Sequence, residues 1–167
     1  MANAEGDSGP MTRTSAPLKP VRTAPAAGPT ADRQPHVARS SHIDRLLDTI
    51  EAGRPVDQRI FDPLVVLDAT VPNWRLVRRG PEAVADIFAQ FYADPGHLDQ
   101  LERQPIDGGE LVELTLAWTE DGVAHLAHQV HLLEVADDGR IRRDTMFCGG
   151  RWSADLLEEM EAADAQR

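Results

Sequence analysis

The sequence predicts an α+β domain in which a curved, mostly antiparallel sheet carries helices on its concave face around a pocket. Three observations predict it. Apolar residues recur at helical spacing in two segments before residue 92, the pattern becomes alternating after Asp94-Pro95-Gly96, and three turn signals then divide the remainder into consecutive strands.

The first helix is read from Ile43, Leu46, Leu47 and Ile50, which share one face. Ser40 or Ser41 caps it, and Gly53 followed by Pro55 ends it. A short helical turn is expected over 56–61, ending before Pro63. Leu64-Val65-Val66-Leu67 reads as a strand and Trp74 to Arg79 as its hairpin partner, with Val71-Pro72-Asn73 as turn chemistry between them. Gly80-Pro81 opens the strongest helix, because proline at a first-turn position loses no hydrogen bond; Val84, Ile87, Phe88 and Phe91 form its expected buried stripe.

Asp107-Gly108-Gly109, Glu120-Asp121-Gly122 and Asp137-Asp138-Gly139 separate four strands, expected at 97–106, 110–119, 123–135 and 140–148. Short connections force consecutive strands to pair, so these four form a meander. Ser153 caps a last, Glu-rich helix whose Leu156, Leu157 and Met160 can lie against the sheet. Where a strongly curved sheet and its helices diverge, a cavity remains.

Composition narrows the function classes. The 167 residues suit one domain, 41% of them are hydrophobic, and the formal charge is −11. Nucleic acid is an unexpected partner, because phosphate binding needs clustered Lys and Arg. No apolar run approaches a membrane span, and no secretory signal opens the chain, so a soluble, cytoplasmic protein is expected. The single Cys148 rules out an internal disulfide and fits a reducing compartment. Residues 1–40, rich in Pro and Ala with a net charge of +2 against −13 for the rest, are expected to be a disordered tail. Residues 41–152 form the expected domain, and 153–167 a C-terminal helix and tail.

The densest titratable cluster is His125, His128 and His131 with Gln129, on the penultimate strand. Strand geometry opposes a metal site: His128 points away from the others, and His125 and His131 lie ~20 Å apart at ~3.4 Å per residue. No metal is expected. The tight turn at 137–139, without a bulge, sets odd positions of one strand against even positions of the next. His131 then faces Asp144 directly or diagonally, on a face shared with Gln129, Met146 and Cys148, while Glu134 meets Arg143 on the opposite face. A histidine and a carboxylate so placed can shuttle one proton. Trp74, Tyr92 and Trp118 are candidate lining for a flat ligand or plain core.

This order of elements, with the Asp138-Gly139-Arg140-Ile141 turn opening the final strand, resembles the NTF2-like superfamily, especially its SnoaL-like branch, over about residues 41–152. The resemblance implies an NTF2-like cone with a hydrophobic pocket, commonly in a homodimer formed through the open faces of the sheets. SnoaL-like cyclases use an acidic side chain and a histidine on their last strands, with no cofactor. Carried over, that implies Asp144 and His131 as acid/base residues acting on a small hydrophobic molecule. Related cyclases often show an aromatic residue beside the acid, whereas Thr145 and Met146 follow Asp144 here. The superfamily holds cyclases, isomerases, hydrolases and dehydratases beside members that only bind or dimerise, so enzyme, ligand-binding module and structural partner all remain readings.

Overall fold

The computed structural model describes residues 40–166. Of the expected tail, all but Ser40 lies outside the described residues. Helix α1 (Ser41–Ala52) starts where the Ser40 hydroxyl accepts the His42 N–H. The same hydroxyl donates to the Gly139 carbonyl at 2.7 Å, fastening the helix to a turn 99 residues away in sequence. Its end needs Gly53, in the left-handed region at φ 58°; a Cβ there would also lie 2.3 Å from the Pro95 nitrogen. Ile43, Leu46, Leu47 and Ile50 are all buried, as their spacing requires.

A 3₁₀ turn at Gln58–Ile60 leads into β1 (Phe61–Val71), longer than the four apolar residues suggested. Pro63 is tolerated because the ladder with β6 slips between Phe61 and Val66, and pairing to β2 (Trp74–Arg79) begins only at Val66. Helix α2 (Pro81–Phe91) buries Val84, Ala85, Ile87 and Phe88. Phe91 departs from the expected stripe, since at the last helical residue it is 38% exposed.

The meander follows as β3 (Gly96–Ile106), β4 (Gly109–Glu120), β5 (Val123–Val135) and β6 (Ile141–Cys148). The mixed seven-stranded sheet has the order β2-β1-β6-β5-β4-β3, with the two-residue β7 (Trp152–Ser153) pairing only with β5. The one parallel junction, β1 beside β6, joins the early hairpin to the meander. The turn after β5 is longer than expected, with Val135 opposite Ile141 and a one-residue shift before Glu134 pairs with Arg143. The shift restores the odd-to-even pairing, so the expected facing of side chains is kept by a different route.

Helix α3 (Ala154–Asp164) is capped by Ser153 as expected and touches β5, but it packs loosely: Leu157 is half-buried, Leu156 and Met160 are exposed, and none of its residues is buried. It follows β7, which meets only His125 and Leu126 near the start of β5, so little sheet surface is in reach. Among the described residues, no helix is long and apolar enough to cross a membrane.

Candidate functional site

The concave face of the sheet carries every second residue of each strand, and two different environments result along it. Toward one end, α1 and α2 cover the face with Phe61, Leu67, Phe88, Val112, Leu114 and Leu133 in a continuous core. Beyond the C-terminus of α2 the face is uncovered, and a cavity of about 310 Å³ opens. Leu116 and Trp118 of β4, Ala127 and Gln129 of β5, and Met146 and Cys148 of β6 line its sheet side. Gln90, Phe91 and Tyr92 at the end of α2 line the other, with Val71, Pro72, Gly150 and Arg151 at its margin.

Tyr92 stands at the border between the two. Its ring packs on Phe88 with centroids 5.6 Å apart, and its hydroxyl donates to Gln129 Oε1 at 2.7 Å. Burial, reinforced by the Asp144 carboxylate, pushes its pKa well above the ordinary tyrosine value, so the hydroxyl stays protonated. Gln129 Nε2 approaches only Cys148 Sγ, at 3.6 Å.

His131 and Asp144 meet as neighbouring strands allow. His131 is directly opposite Met146 and diagonal to Asp144. His131 Nδ1 lies 2.9 and 3.2 Å from the two carboxylate oxygens, which places the ring proton on Nδ1, donated to Asp144. The residues are 1% and 0% exposed, and His131 Nε2 has no protein hydrogen-bond partner. Neither lines the cavity; they sit on the core side of Tyr92, Gln129 and Met146.

The other two histidines go elsewhere. His125 stacks on Trp118 at 5.4 Å, and His128, on the outer face, bonds Thr115 and reaches Glu113 at 3.2 Å. Among the described residues, no three His, Cys, Asp or Glu side chains converge as metal ligands would. At the mouth, Arg151 lies over the Trp118 ring, 5.6 Å from its centroid, and pairs with Glu120. Glu134 meets both Arg142, at 3.1 Å, and Arg143, at 3.5 Å, on the solvent side.

Gln129, Met146, Cys148, Trp118 and Tyr92 thus stand together around the cavity, and Trp74 does not. Trp74 pairs with Val71 at the hairpin tip on the sheet's edge strand, where nothing covers it and 70% of it is exposed. Sequence reasoning missed the rest of the lining, including Leu116, Ala127 and Arg151. The first two follow by stepping two residues along the strand from Trp118 and from Gln129. Arg151 carries no such signal, because it lies in the irregular link between β6 and β7.

No protein-family model matches the chain, and no curated protein matches it by sequence. Solved structures do resemble it. A Catenulispora acidiphila protein with a ketosteroid isomerase-like fold, solved with trimethylamine, has a TM-score of 0.55 at 11% identity, covering 66% of this chain and 87% of its own. An LEH-like epoxide hydrolase of M. tuberculosis has a TM-score of 0.52 at 13% identity, over 65% of this chain and 80% of its own. A Pseudomonas putida protein, provisionally assigned as a polyketide cyclase, has a TM-score of 0.50 at 15% identity, over 64% and 88%. At such identities the likeness is one of fold, and the fold is the NTF2-like α+β cone that the order of elements implied.

Proposed function

We propose that this NTF2-like chain binds a small, largely apolar molecule in the cavity beyond α2, without a cofactor. The carrying observation is the cavity itself: about 310 Å³, walled by Val71, Phe91, Leu116, Ala127 and Met146, with one buried polar corner at Tyr92 and Gln129 and the exposed Gln90 and Arg151 also on its lining. That size lies at the lower end of ordinary ligand sites, and an apolar wall with few convergent polar groups is their usual make-up. Cys148 is the only cysteine of the sequence and lines the cavity, so its alkylation rate reports occupancy. Apolar mono- and bicyclic compounds are expected to slow iodoacetamide labelling of Cys148 and to raise the melting temperature. If none of a broad panel does either, the binding function is wrong.

One observation favours a second reading, that the site also turns its ligand over. His131 Nε2 is buried with no protein partner while Nδ1 is held by Asp144, which is how an oriented general base is built. The fold neighbours include a hydrolase and an isomerase-like fold, and in this reading the chain is a cofactor-independent cyclase, isomerase or hydrolase. Because neither residue lines the cavity, turnover requires Tyr92, Gln129 or Met146 to give way. Asp144→Asn retains shape and removes the ionisable group; unchanged turnover of an identified substrate would assign the chemistry elsewhere. A homodimer through the open sheet face is supported by Leu132 and Phe147, exposed on its outer side, and sedimentation of a Phe147→Glu variant tests it.

A further inference from the structure

The polar corner of the cavity has an unbalanced set of hydrogen-bonding groups. Tyr92 has one hydroxyl proton, and it is spent on Gln129 Oε1. The 2.7 Å separation is the usual length for O–H···O and short for N–H···O, so the amide oxygen faces Tyr92 and the amide nitrogen faces away. That nitrogen carries two protons. Its one protein neighbour within reach is Cys148 Sγ at 3.6 Å, a weak acceptor, while Gln129 is 5% exposed. At least one N–H of that amide therefore has no protein oxygen or nitrogen to accept it, and only water or a ligand in the cavity can do so.

We infer that Gln129 selects the ligand, and that the cavity takes neutral apolar molecules bearing a carbonyl oxygen, which accepts from Gln129 Nε2 at the buried corner. The inference rests on the cavity being a binding site and adds the class of ligand. Each neighbouring group supports it. Tyr92 is a positioning residue: its hydroxyl, kept protonated by burial and by Asp144, pins the amide so that its N–H groups face the cavity. A carboxylate end is disfavoured there, because the fully buried Asp144 stands just behind Tyr92 and no cation lines that corner. Arg151, the one cation among the lining residues, sits at the mouth and already pairs with Glu120.

The test compares three bicyclic probes of matched shape with the full chain: 1-tetralone, tetralin and tetralin-1-carboxylate. Tetralone is expected to bind about tenfold more tightly than tetralin, the worth of one good hydrogen bond to a buried donor, and the carboxylate no better than the hydrocarbon. The carbonyl stretch of bound tetralone is expected at lower frequency than in hexane. Gln129→Leu should abolish both the preference and the frequency shift while still binding tetralin, which also shows that the variant folds. Should that variant fail to fold, Tyr92→Phe, which frees the amide to rotate, is expected to reduce both. Equal binding of tetralone and tetralin, or a preference that survives Gln129→Leu, overturns the inference and leaves the binding function standing. If no probe binds or protects Cys148, both fall together.

Discussion

The two ends of the concave sheet face share one alternation of side chains, yet one end is solid and the other hollow. At the solid end Leu114, Leu133 and Asp144 are 0–1% exposed beneath α1 and α2; at the hollow end Leu116, Ala127 and Gln129, on the same strands and the same face, border open space. The cause is length. Helix α2 has 11 residues, about 16 Å at 1.5 Å each, whereas β5 has 13, about 44 Å at 3.4 Å each. A helix that stops at Phe91 cannot roof the whole strand. A cavity here therefore needs no special sequence, only a cover shorter than the wall it lies on.

The sharpest way to break this contrast is to delete matched groups at the two ends. Asp144→Ala leaves His131 buried with neither nitrogen paired, and is expected to lower stability by about 3–5 kcal/mol, read from the urea midpoint. Phe88→Ala, also in the solid end, is expected to cost about 3–5 kcal/mol. Phe91→Ala, three residues on and bordering the cavity, is expected to cost under about 1 kcal/mol. Equal losses for Phe88 and Phe91 would mean that the hollow end is packed in solution.

The solid end was also the more legible in sequence. Helical spacing at Ile43, Leu46, Leu47 and Ile50, and strand alternation after Gly96, report which side of an element is apolar, and burial follows from that. The meeting of His131 with Asp144 was legible for the same reason, since pairing parity is a property of two adjacent strands and their turn. What local pattern does not carry is where a cover ends in three dimensions. Phe91 has the spacing of a core residue and Trp74 the size of a pocket wall, but one lies at a helix end and the other on an edge strand. The parallel contact of β1 with β6 was equally silent, because it joins segments some 80 residues apart without a turn. Arg151 is placed by the Gly149-Gly150 link, where no periodicity applies.

A smaller but cleaner contrast adds volume. Ala69 and Ala127 are both nearly fully buried, yet Ala69 belongs to the packed core and does not line the cavity, whereas Ala127 does. Ala69→Leu is expected to destabilise by about 1–3 kcal/mol through overpacking. Ala127→Leu is expected to change stability by less than about 0.5 kcal/mol while weakening tetralin binding tenfold or more. If the two substitutions cost the same, the free volume beside Ala127 does not persist in solution.

The finest test is optical and concerns the border itself. Tyr92 is the sole tyrosine, so phenolate absorbance reports that one hydroxyl. Burial and the nearby Asp144 hold its folded pKa above the ordinary value of about 10. A raised folded value means that the folded chain holds the proton more tightly. The corresponding stability is complete below pH about 10 and is lost as pH climbs from there toward the folded pKa. No phenolate band should therefore develop near pH 10 while near-ultraviolet circular dichroism shows the fold intact. A band at that pH in the folded chain would put water at the Tyr92 hydroxyl, moving the hollow end past Tyr92 to His131 and Asp144. The catalytic reading would then gain the access it otherwise lacks.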